Sequence, residues 1–200
     1  MTVQPIPENT TTAQFGSVVS SRLVSIGLLI AASFGLLLLR LGLVVAPLLA
    51  VAAVVLAAAL VDEVSERIPN RLVLAAVGLI AAGVPIVASI QATDIASVAL
   101  GVLTGAAISG APVLFLIWLL DPSLIGGGDW KLLATAGAAL GLLVPIAAVL
   151  ASLVACAFQA VRFAAFRERL APFGPAIAAG MLVALAVLPS ISQLTGGEIG

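Results

Sequence analysis

The 200-residue chain contains no histidine, no tyrosine and a single cysteine, Cys156. Without histidine, Ser-His and Cys-His nucleophile pairs, HExxH zinc sites and His-ligated haem are excluded. One cysteine rules out internal disulfides and paired-cysteine zinc or iron–sulfur sites. Charge is scarce as well: 8 Lys/Arg and 9 Asp/Glu make up 8% of the chain, against roughly a quarter in a soluble domain. The net charge of −1 offers no basic surface to a phosphate backbone, so no nucleic-acid partner is expected. No cofactor and no metal are expected either. Carboxylates, Lys, Ser/Thr hydroxyls and the backbone are left to do any chemistry.

What is present is apolar. Hydrophobic residues make up 62% of the sequence, which points to the lipid bilayer as the main solvent. A span needs about 20 apolar residues, and the text divides accordingly. The expected fold is all-α, a polytopic membrane helix bundle of about seven transmembrane helices. Residues 1–21 read as a polar N-terminal tail, 22–46 as an additional N-terminal membrane helix, 47–189 as a six-helix core, and 190–200 as a C-terminal tail. The first basic residue, Arg22, comes too late for the short basic region of a signal peptide, so no cleavage is expected.

Three polar breaks interrupt the core: DEVSERIPNR (62–71), DPSLIGGGD (121–129) and RFAAFRERLAPFGP (162–175). The breaks, with Lys131 two residues beyond the second, hold six of the eight basic residues: Arg67, Arg71, Lys131, Arg162, Arg167 and Arg169. The positive-inside rule therefore predicts all three on the cytoplasmic side of the plasma or inner membrane. That count requires two crossings between 131 and 161, with a short helix over about Trp130–Leu140, a turn at Gly141–Pro145 and a longer helix beyond. The N-terminus then lies in the cytoplasm and the C-terminus outside. The loop 91–94 carries Asp94 as an N-cap for the helix that follows.

Asp62 and Asp129 sit where polar breaks meet apolar helices, which predicts the same cytoplasmic depth for both. Two carboxyls brought close cannot both ionise easily, so one keeps a proton as an acid while the other draws a proton from water. Helix-end positions nominate Asp129 as the ionised base and Asp62 as the protonated acid. Gly126, Gly127 and Gly128 before Asp129 permit close backbone approaches. Each feature also has a plainer reading: a helix-end acid for Asp62, a flexible turn for the glycines. Glu63 and Glu66 read as solvated interface charges with Arg67 nearby, or else as attractants for a positively charged segment. Lys131 and Trp130 read as interface anchors, Arg162 as a topology signal, and Cys156 as an apolar filler.

Together these motifs carry a resemblance. Asp62 followed by Pro69-Asn70 within DEVSERIPN resembles the first catalytic motif of the type IV prepilin peptidases. GGGDWKLLATAGAALG (126–141) resembles their GxGD motif, including Lys131 two residues after the aspartate. PFGPAIAAG (172–180) is similar to the segment with Pro172, Gly174 and Pro175 that opens the family's last helix. The resemblance implies a GxGD-type intramembrane aspartic endopeptidase with Asp62 and Asp129 as its dyad. It implies prepilin-like membrane protein substrates, cut between a basic leader and a hydrophobic helix. The Cys-rich, zinc-binding region of the larger members is missing, so no N-methyltransferase activity is expected. The small forms linked to tight-adherence (Flp) pili look more similar, although Glu63 and Glu66 stand where those often have basic residues. Presenilin-type proteases carry a Tyr-Asp first motif, which a chain without tyrosine cannot supply. Two other readings stay open: a proton- or cation-coupled transporter using Asp62 and Asp129, and an inactive pilin-binding relative.

Overall fold

The computed structural model describes Gly35, Leu38 and residues 42–65, 67–119, 127–166 and 172–194. The chain divides into two compact units, Met1–Arg40 and Leu41–Gly200. In the first, Gly35 and Leu38 are helical. The second opens on a single 3-10 turn, Leu43–Val45, and continues through six α-helices. They are α1 (Ala46–Ser65), α2 (Asn70–Ile90), α3 (Ile95–Leu119), α4 (Gly127–Gly141), α5 (Ala147–Phe166) and α6 (Gly174–Leu194).

Local chemistry sets these boundaries. At the end of α1 the Ser65 hydroxyl donates to the Val61 carbonyl at 2.7 Å, and Pro69, with φ −66° and ψ 126°, caps α2 from extended backbone. Proline lacks the N–H that a helix interior needs, yet α2 contains Pro85 and α3 contains Pro112. Membrane helices tolerate such prolines; one turn beyond Pro85, Ser89 Oγ donates back to the Pro85 carbonyl at 2.8 Å, the i−4 bond common to helical serines. The turn from α2 to α3 closes with the Thr93 amide donating to the Ala88 carbonyl at 3.0 Å, while Ala92 takes the left-handed conformation at φ 51°. That is the Schellman arrangement, here without the usual glycine. Asp94 then caps α3 as expected, accepting from the Ser97 amide at 2.8 Å and the Ser97 hydroxyl at 2.5 Å. The Ser97 hydroxyl first, and its amide second, hold the Asp94 carboxyl below its ordinary 3.8.

The seven membrane helices expected from the sequence are corrected by this architecture. Among the described residues there are six α-helices, and three segments are long and apolar enough to cross a membrane: Leu43–Glu63, Asn70–Ile90 and Ile95–Pro112. Those three make the chain a multi-pass membrane protein. The span expected at 22–46 falls largely outside the described residues, and its last residues belong instead to the Leu43–Glu63 segment. Two helices do form between 131 and 161, but α4 has 15 residues, which reach only about 22 Å. The apolar stretches of α5 and α6, Ala147–Arg162 and Gly174–Leu188, are also short.

Hydropathy overcounted spans because it cannot separate lipid-facing from protein-facing apolar residues. In α4 the residues Leu132, Leu133 and Thr135 to Gly141 are all buried. This helix is apolar because other helices surround it, with α1, α2, α3, α5 and α6 all against it. Lipid-facing surface lies elsewhere, on Leu74, Val77, Leu100, Leu103, Leu153 and Val161, all exposed. Cys156 is exposed on α5 as well, an outward position for the residue read as a filler.

Candidate active site

Asp62 lies one turn before the end of α1 and is only 3% exposed. No other charged side chain among the described residues is buried. An ionisable group in such a place needs hydrogen-bond partners, and one comes from a distant part of the chain. The Gly174 amide, in the first turn of α6, donates to Asp62 Oδ2 at 2.9 Å. Gly174 has to lack a side chain here. A Cβ would stand 2.8 Å from Asp62 Oδ2 and 3.1 Å from the Ala59 Cα, so only glycine lets α6 start against α1.

Asp129 is the third residue of α4 and is partly exposed. An acid in the first turn of a helix faces unpaired amides and the positive end of the helix dipole. Gly127 opens the helix and is exposed, with nothing among the described residues within 4 Å of an added Cβ. Gly128 is tighter, since an added Cβ would come within 3.0 Å of the Ile68 Cβ. The link between α1 and α2 can therefore lie against the start of α4.

These elements enclose a cavity of about 290 Å³ lined by Asp62, Arg67, Ile68, Asn70, Gly127, Gly128 and Asp129. Such a volume has room for several waters, each of which occupies about 30 Å³ in the liquid. The expected dyad thus shares one cavity, together with Asn70 and two of the three glycines. Gly126 lies outside the described residues, as do Glu66, Arg167 and Arg169. Pro69 stands just before Asn70 as the cap of α2, but is not part of the lining. Lys131 is half-buried two residues beyond Asp129, with its carbonyl accepting from Thr135 Oγ1 at 2.7 Å, and it too is outside the lining. Pro172 and Pro175 are half-buried on either side of the Phe173-Gly174 pair.

Sequence reasoning missed three partners. Arg67 and Ile68 line the cavity, and their position between Asp62 and Pro69-Asn70 was the available signal. Arg162, taken as a topology signal, bonds to Glu63: Nη1 to Oε2 and Nη2 to Oε1, each at 3.3 Å. Glu63, read from the sequence as a solvated interface charge, bonds to a residue 99 positions away. The start of α6 bears on the Asp62 carboxyl with the opposite sign to the end of α1, a second helix end that the sequence did not reveal.

No curated protein and no solved structure matches the chain. The model of the Type IV leader peptidase family matches residues 49–161. That stretch contains Asp62, Asp129 and the whole cavity lining, and stops before the Pro172–Pro175 segment that contacts Asp62. The match covers more than half of the 200 residues, and the chain belongs to the Type IV leader peptidase family.

Proposed function

We propose that this peptidase-family chain is an intramembrane aspartic endopeptidase. It removes the leader of type IV prepilin-like precursors at the cytoplasmic membrane face, with Asp62 and Asp129 as the reacting pair, and does not methylate the new N-terminus. One observation carries the reading: both carboxyls line a single cavity at the end of the helices where the described parts of the polar breaks meet. Family membership supports prepilin processing in general terms, and the pair supplies a chemistry for it.

In that chemistry the two aspartates share one proton. The carboxylate takes a proton from water as the water oxygen bonds to the scissile carbonyl carbon. The protonated partner gives its proton to the carbonyl oxygen. Collapse of the adduct breaks the C–N bond, and the leaving nitrogen carries away a proton. A substrate helix has its carbonyls already hydrogen-bonded, so the scissile segment must unwind before it enters the cavity. Gly127 is exposed, and among the described residues nothing stands within 4 Å of a Cβ built on it, so an extended backbone is proposed to enter on that side.

The test is cleavage of a co-expressed prepilin-like precursor in membranes, comparing wild type with Asp62→Ala and Asp129→Ala. Each variant is expected to lose at least about 100-fold in rate, the lower range for a positioned acid or base, with unchanged protein levels. Cleavage surviving either substitution rejects the pair. A wild type that cleaves nothing while moving protons or cations across the membrane would favour the transporter reading.

A further inference from the structure

The Arg162 guanidinium does more than pair with Glu63. Its Nη1 also donates to the Pro172 carbonyl at 3.3 Å, two residues before the Gly174 amide that donates to Asp62. One planar group therefore ties the residue next to Asp62 in α1 to the segment that leads into α6. Glu63 and Gly174 are bonded at the two ends of this short circuit, and Asp62 lies between them. Resting on the proposed function, the geometry points to Arg162 as a positioning residue. It sets the height of the Pro172–Gly174 segment, and through it the orientation of the Asp62 carboxyl.

Three features support this assignment over a surface ion pair. Arg162 is 16% exposed while Glu63 is 48% exposed, so solvent screens the charge attraction and geometry is what remains. The guanidinium makes three bonds to two different chain segments, which a fork of fixed N–H donors does and a lysine point charge does not. The segment also has few bonds of its own to make. Pro172 and Pro175 have no N–H to donate, so between them the amides of Phe173 and Gly174 are the only backbone donors.

The experiment uses the full chain in nanodiscs, as wild type, Arg162→Gln and Arg162→Lys, with Asp62→Ala as an inactive control. Two quantities are read: hydrogen exchange at the Phe173, Gly174 and Ala176 amides, and kcat and KM for a prepilin-like precursor. Exchange is expected to rise in Arg162→Gln, with Arg162→Lys between it and wild type. The kcat of Arg162→Gln is expected to fall about 10- to 100-fold, the scale of a misplacement near 1 Å, at a KM within about twofold of wild type; Arg162→Lys is expected to recover part of it. Exchange that is unchanged in Arg162→Gln overturns the clamp whether or not the protein cleaves. Raised exchange with a wild-type kcat overturns the positioning role while leaving the protease reading intact. If wild type cleaves no more than Asp62→Ala, the protease reading fails and takes the positioning role with it.

Discussion

Asp62 is a buried acid, and one of its hydrogen bonds comes from an amide 112 residues away in the chain. Gly174 serves that bond by being small. Replacing it with alanine forces a Cβ to within 2.8 Å of Asp62 Oδ2 and 3.1 Å of the Ala59 Cα. The Ala59 backbone cannot yield cheaply and the buried Asp62 carboxyl is held by the Gly174 amide itself, so α6 has to move off α1. Gly174→Ala is expected to reduce cleavage by about 100-fold while the protein still accumulates in membranes, as rate and immunoblot together would report. Wild-type cleavage in that variant would show that the Asp62–Gly174 contact is dispensable. At this scale both aspartates and the Pro-Phe-Gly-Pro segment were readable from the sequence. Their contact was not, since hydrogen bonds across such separations leave no local pattern.

The element that organises the site is α4, the buried helix with Asp129 in its first turn. Its packing against α3 depends on two pairs of glycines spaced four apart, Gly101 and Gly105 on α3, Gly137 and Gly141 on α4. A Cβ on Gly105 would collide with the Gly137 carbonyl, and one on Gly137 with the Gly105 carbonyl. Small residues four apart let membrane helices approach backbone to backbone. That spacing was present in the sequence as a signal and went unread. Gly137→Ala is expected to destabilise the protein by about 1–3 kcal/mol through overpacking, measured as a lower thermal midpoint in detergent. Among the described residues nothing lies within 4 Å of a Cβ added at Gly78 in α2, so Gly78→Ala should instead be neutral or add up to about 1 kcal/mol of helix propensity. Equal effects of the two substitutions would argue against close packing as the cause.

For the whole molecule, the described polar breaks converge on one end. The first and second meet at the cavity, and the third reaches the first through Arg162 and Gly174. We propose that this end faces the cytoplasm, on the distribution of basic residues. In a Cys156→Ala background, Ser65→Cys should react with an impermeant maleimide from the cytoplasmic side and Thr93→Cys from the opposite side. Between these positions α2 has 21 residues, about 32 Å of helix, which matches the hydrocarbon core. Labelling from the reverse sides would invert the assigned orientation, and labelling of both from one side would remove α2 as a crossing.

Composition and punctuation alone determined that this chain lives in a bilayer and that Asp62 and Asp129 stand at the borders of apolar helices, while its motifs pointed to a peptidase family by resemblance. These follow from local rules: the cost of charge in lipid, the stop signals of proline and glycine, and the residues that a reaction needs. The tertiary structure alone decided how many helices are long and apolar enough to span, since burial in protein and exposure to lipid demand the same apolar text. It also decided that Asp62 meets Gly174, that Glu63 meets Arg162, and that α3 and α4 touch at glycine. Each of these joins residues far apart in sequence, and only the packing of helices brings such residues within bonding distance.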